Sequence, residues 1–172
     1  NISSPLKSRE VNILCVCNYN FNRSPAMEIV FDYLINKNGL SNIIKVTSGG
    51  VKAENRDGWG GVNTELVKAF EEQFKMQPKE IMSKQLSGEQ VLNASVIVVP
   101  NAKIKDSIDK RFEDEVKGKE FIILDEIAND VVIKELSEGA SENKEQTNLF
   151  RTRQIIEMLV WPILIKEINS SS

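Results

Sequence analysis

Apolar positions along this chain fall into short uninterrupted runs separated by longer stretches with helical spacing. Val11 to Val16 (VNILCV) is an apolar run that ends in a polar loop, the pattern of a buried strand. Ser24-Pro25 then opens the stretch PAMEIVFDYLINKNG, where Met27, Val30, Phe31 and Leu34 recur at three and four residues and give one apolar face. Pro25 suits the first turn of that helix and Gly39 suits its stop. Ile43 to Thr47 reads as a second strand, closing in Ser48-Gly49-Gly50. A loop with Asp57-Gly58-Trp59-Gly60-Gly61 follows, and then Asn63 to Phe74 reads as a helix and Gly88 to Leu92 as a short one. Ser95 to Val99 (SVIVV) is the third strand, stopped by Pro100, and Ala102 to Phe112 is a helix. Phe121 to Leu124 (FIIL) is the fourth strand, and Asn148 to Ile168 is a long apolar helix that Pro162 should bend.

Strands that alternate with helices predict an α/β protein: a single-domain, three-layer fold with a central four-stranded parallel sheet and helices on both faces. A length of 172 residues suits one domain. We place it at 11–169, with an N-terminal tail over 1–10 and a C-terminal tail over 170–172. The start, Asn1 to Glu10, lacks the charged-then-apolar pattern of a signal peptide and reads as an exposed tail or as the end left by a removed leader. No apolar run reaches the roughly 18 residues that a membrane span needs. The formal net charge of −3 speaks against nucleic acid as the main partner, because phosphate backbones favour a basic face. Cys15 and Cys17 would share one face of a strand, where a bond between them would be strained. A reducing, cytoplasmic setting fits that usage. Histidine is absent, which removes Ser-His-Asp and Cys-His catalysis and histidine metal sites. Neither a metal nor another cofactor is called for, and the glycines near Trp59 lack the lysine-serine ending of a nucleotide loop.

The stretch that carries chemistry is Cys17-Asn18-Tyr19-Asn20-Phe21-Asn22-Arg23-Ser24-Pro25. In a parallel sheet the ligand lies at the C-terminal ends of the strands, where Cys17 falls. The loop from Asn18 through Tyr19, Asn20, Phe21 and Asn22 can curl its backbone N–H groups into an anion-binding nest. The helix that begins at Ser24 adds its positive end. Such surroundings favour the charged form of a sulfur, and Arg23 can grip two phosphate oxygens with its planar fork. Together these suffice for phosphoryl transfer by way of a cysteinyl-phosphate. The cysteine-to-arginine spacing alone is common by chance; the strand before it and the helix after it make it specific.

The segment ILCVCNYNFNRSPAMEIVF resembles the signature of the low-molecular-weight protein tyrosine phosphatases, an apolar strand followed by V-C-x-G-N-x-C-R-S-P and a helix carrying A-E. Val16, Cys17, Asn20, Arg23, Ser24, Pro25 and Glu28 match in place. Through Asn22 the loop also resembles the related RNA polymerase tail phosphatases. Ser48-Gly49-Gly50 is similar to the family's S-A-G-T, and Lys84-Gln85-Leu86 to its R-Q-L. The resemblance implies a phosphotyrosine phosphatase I-like fold. It makes Cys17 the nucleophile, Arg23 the phosphate ligand, Asn20 the residue that holds the loop in shape, and Ser24 the donor that helps the sulfur leave. It also implies a phosphorylated protein or a small phosphomonoester as the substrate.

Three departures stand out. Tyr19 takes the place of the family's loop glycine, and Asn22 that of its second cysteine. No Asp-Pro pair follows the fourth strand to supply the general acid, which leaves Asp130 first and Asp125 second as candidates. Tyr19 and Phe21, with Trp59 opposite, are candidate walls for an aromatic phosphoester. The alternatives are a weak or inactive phosphate-binding module on the same fold and, further off, an arsenate reductase, whose chemistry needs more cysteines than this chain has.

Overall fold

The computed structural model describes residues 10–56, 60–128 and 144–170. Four strands, β1 (Val11–Cys17), β2 (Ile44–Gly50), β3 (Val96–Val99) and β4 (Glu120–Ile123), form one sheet in the order β2-β1-β3-β4, and every neighbouring pair is parallel. Between and after them run α1 (Arg23–Lys37), α2 (Thr64–Phe74), α3 (Gly88–Asn93), α4 (Ala102–Arg111), the single turn α5 (Leu124–Ile127) and α6 (Lys144–Ile155). The last helix continues through a π-helical segment, Ile156–Val160, into α7 (Trp161–Ser170).

The pleat of β1 divides the core. Ile13 and Cys15 pack with Val30 and Phe31 of α1, Phe70 of α2, Leu149 of α6 and Ile156. Leu14 and Val16 pack on the opposite face with Val91 of α3 and Ile104 and Ile108 of α4. All four β3 residues are buried, as a strand covered on both faces requires. The architecture is therefore the single-domain, three-layer α/β fold expected from the alternation of elements. Of the two tails, residues 1–9 and 171–172 lie outside the described residues.

Several boundaries differ from the sequence reading, each for a local reason. β2 does not close at Thr47. Ser48, Gly49 and Gly50 stay paired with Cys15, Val16 and Cys17, so residues that read as a turn extend the strand to the base of the Cys17 loop. Leu124 belongs to α5 and not to β4; the next residue, Asp125, already turns its N–H to the Pro100 carbonyl at 3.1 Å. The last helix begins at Lys144, and Pro162 is accommodated one turn ahead of itself. Proline has no N–H and its ring crowds the preceding turn. The chain widens there into π geometry, with the Trp161 N–H bonded to the Ile156 carbonyl. Trp161 is half-buried and packs against the core's margin.

Candidate active site

Cys17 ends β1, and α1 begins at Arg23, so residues 18–22 form the loop between a central strand and a helix N-terminus. Neighbouring chain fixes the loop's shape. The carbonyls of Cys17 and Asn18 accept from Val51 and Lys52 N–H at 2.9 and 2.6 Å, and the Phe21 carbonyl accepts from Asn63 N–H at 3.0 Å. Asn20 has φ +50, a left-handed conformation that asparagine tolerates. Among the described residues, the backbone N–H groups of 19–23 are paired with no acceptor. α1 starts with no side-chain cap and no acidic residue in its first turn. The loop thus combines unpaired donors with the positive end of a helix, which suits an anion.

Below the loop lies a row of buried polar groups. The Cys17 Sγ is 3.0 Å from Ser24 Oγ. Asn20 Nδ2 donates to both Ser24 Oγ and Ser48 Oγ, each at 2.8 Å. Ser48 Oγ donates to Glu28 Oε1 at 2.5 Å, and the other Glu28 oxygen meets Lys79 Nζ at 2.5 Å. Two further groups of Asn20 are also used: its Oδ1 accepts from Lys84 N–H at 2.9 Å, and its carbonyl accepts from Ser83 Oγ at 2.6 Å. Ser24 accepts from Asn20, which leaves its own hydroxyl proton for the Cys17 sulfur at 3.0 Å or the Gly49 carbonyl at 3.5 Å. Asn20 and Ser24 were legible as motif positions. Glu28 and Ser48 matched the resemblance without a role, while Lys79 and Ser83 were not singled out. The signal of those two, polar residues shortly before K-Q-L, is too weak to read without the fold that brings them to the loop.

The rim of the loop carries the other candidates. Tyr19, within the loop, is 44% exposed. Phe21 is half-buried, and the Arg56 guanidinium lies over its ring at 4.3 Å. Asn22 accepts from Asn63 Nδ2 at 3.2 Å and donates to Glu145 Oε1 at 3.4 Å, so a residue in place of the family's second cysteine ties the loop to α2 and α6. Arg23 is exposed and has no carboxylate partner among the described residues. Arg23 and Asp125 line one cavity of about 180 Å³, with Asn22, Leu124 and Arg151. The Asp125 side chain is 60% exposed and 4.0 Å from Arg151 Nη2. Asp130 and Trp59, the other candidate acid and the third candidate wall, lie outside the described residues. Cys15 is fully buried in the core, and burial, followed by the Glu28 charge, pushes its thiol well above the ordinary cysteine range.

A parallel α/β sheet whose first strand delivers a cysteine into an anion-binding loop is the frame of a phosphatase. The chain matches the family described as low molecular weight phosphotyrosine protein phosphatase over residues 12–168, and it belongs to that family. Solved structures agree on the fold. A YwlE mutant from Bacillus subtilis is 21% identical with a TM-score of 0.69, covering 92% of this chain and 99% of that one. A YwlE arginine phosphatase whose cysteine-to-serine mutant carries a phosphorylated active-site serine is 19% identical with a TM-score of 0.70, covering 94% and 100%. A protein tyrosine phosphatase from Entamoeba histolytica, with Hepes in its active site, is 17% identical with a TM-score of 0.70, covering 94% and 99%. No curated protein sequence matches the chain. The likeness to RNA polymerase tail phosphatases through Asn22 is not borne out, since the family match is to the low-molecular-weight phosphatases. Among the described residues no helix is long and apolar enough to cross a membrane.

Proposed function

We propose that this phosphatase hydrolyses phosphomonoesters through a cysteinyl-phosphate on Cys17. The observation that carries this reading is the unpaired N–H arc of residues 19–23 at an uncapped helix start, with the Cys17 sulfur at its base bonded to Ser24. In the first step the sulfur attacks phosphorus, the S–P bond forms, and the bond to the leaving oxygen breaks. Arg23 and the loop N–H groups hold the three equatorial oxygens. A carboxylic acid protonates the leaving oxygen. In the second step the same carboxylate takes a proton from water, the water oxygen attacks phosphorus, and the S–P bond breaks with Ser24 donating to the departing sulfur. The phosphorylated active-site serine of the YwlE cysteine-to-serine mutant supports phosphate transfer to a nucleophile of the enzyme itself.

Asp125 is the better supported acid of the two candidates, because it lines the cavity that also takes in Arg23. For the substrate we favour phosphotyrosine on a protein, in line with the family and with the aromatic residues Tyr19 and Phe21 in the loop. Phosphoarginine is a second reading, favoured by the arginine phosphatases among the fold neighbours. Phosphate release from p-nitrophenyl phosphate, a phosphotyrosine peptide and a phosphoarginine peptide separates these. Asp125→Asn is expected to cut release from the phosphotyrosine peptide by about 10² or more and to cost less on p-nitrophenyl phosphate, whose leaving group needs little protonation. The same loss in Asp130→Asn, with Asp125→Asn unaffected, would move the acid to Asp130. Vanadate that raises the melting temperature of a wild type with no turnover on any substrate would mean a phosphate-binding module.

A further inference from the structure

Behind the phosphate loop, Glu28 is a buried carboxylate with its side chain 6% exposed, and Lys79, 32% exposed, meets it from the surface side. The Lys79 ammonium is fixed by a second bond, to the Val46 carbonyl of β2 at 3.1 Å. Lys79 and Ser48 occupy different oxygens of Glu28, so the carboxylate accepts at both. That arrangement sets the direction of each hydrogen in the row. Ser48 and Ser24 each accept from the Asn20 amide, and each has one hydroxyl proton left to place. Ser48 sends its proton to Glu28; of the two acceptors within reach of the Ser24 proton, the Cys17 sulfur at 3.0 Å is nearer than the Gly49 carbonyl at 3.5 Å.

Removing the lysine leaves two outcomes for a carboxylate in this position, and both are costly. A charged Glu28 without its cation puts an uncompensated negative charge behind a loop that must accept an anion. A Glu28 that takes up a proton on the oxygen Lys79 vacated keeps a carbonyl for Ser48, but it loses the charge that strengthens that bond and buries an O–H where its cation stood. We infer that Lys79 is a positioning residue for Cys17: it balances the Glu28 charge and so preserves the donor order from Ser48 through Asn20 that leaves the Ser24 hydroxyl aimed at the sulfur. This inference rests on Cys17 being the nucleophile proposed above.

The test uses the full chain with Lys79→Met, Lys79→Arg and the double variant Glu28→Gln/Lys79→Met. The readouts are p-nitrophenyl phosphate turnover and the rise in melting temperature with vanadate. Lys79→Met is expected to lower kcat/KM by about tenfold or more, because a charge-assisted row of hydrogen bonds is lost at the sulfur and an unbalanced charge faces the anion. Lys79→Arg keeps the charge and most of the activity. The double variant is expected to recover most of the activity, since a glutamine carbonyl accepts from Ser48 and carries no charge to balance. Packing of the lysine stem alone predicts no such recovery. Wild-type kcat/KM in Lys79→Met, or a folded double variant no more active than Lys79→Met, overturns the inference. If Lys79→Met is too unstable to assay, the double variant decides: turnover near the wild type sustains the inference, and a folded but inactive double variant overturns it. A wild type without turnover is instead a failure of the proposed function. The vanadate shift then decides on Lys79: loss in Lys79→Met and return in the double variant sustain its role, and equal shifts in all variants overturn it.

Discussion

Gly50 ends β2 directly beside Cys17, its partner in the sheet register, and the loop passes over it with no room for a side chain. A Cβ placed there would lie 2.6 Å from Asn20 N and 2.7 Å from the Tyr19 carbonyl carbon. Both are backbone atoms, so the strain cannot be relieved by a rotamer change. Gly50→Ala is expected to cost about 1–3 kcal/mol by urea denaturation, the range of an overpacked site. It should also cut phosphate release by more than that stability loss alone implies, because the displaced atoms belong to the loop that follows Cys17. Wild-type release from Gly50→Ala would mean that the loop geometry is not critical. The role of Gly50 was not legible in the sequence, where Ser48-Gly49-Gly50 reads as an ordinary turn; only the pairing of Cys17 with Gly50 reveals it. Asn20 is the opposite case. Its residue type, place in the motif and left-handed φ agree, and its side chain bonds in three directions.

Element types were mostly legible, and their ends were less so. The strand runs and helical periodicities of β1, β3, α1, α2 and α4 lie where apolar spacing places them, within a residue or so at each end. Strand ends at small residues and the widened turn ahead of Pro162 were set by pairing and packing that no local pattern carries. The start of α3 is a case of local sequence agreeing with tertiary need. Ser87 Oγ accepts from Gln90 N–H at 3.2 Å, and Gln90 Oε1 accepts from Ser87 N–H at 3.3 Å, a reciprocal capping box. The Gln90 Nε2 also donates to the Ser48 carbonyl at 3.1 Å, which ties this helix start to β2. Ser87→Ala is expected to lower stability by about 1 kcal/mol in urea melts, the usual loss for a capping hydroxyl. No change in the midpoint would mean that the contact with β2 alone seats α3.

Across the whole molecule the design is one of position. A central parallel strand ends one short loop before the first helix begins, so Cys17 is delivered to the positive end of α1 by two elements that both pack into the core. The overall fold and the Cys17 to Ser24 loop were legible because one local motif and one regular alternation of elements both survive in the sequence. The acid was not, because no Asp-Pro pair marks it, and the two candidates differ in what places them: Asp125 by its cavity with Arg23, Asp130 by sequence position alone. The account turns on Cys17 as the atom that carries phosphate. The most direct test is phosphate release from p-nitrophenyl phosphate by the wild type and by Cys17→Ser. We predict steady turnover in the wild type and none above the uncatalysed rate in Cys17→Ser; turnover that survives Cys17→Ser would contradict the account.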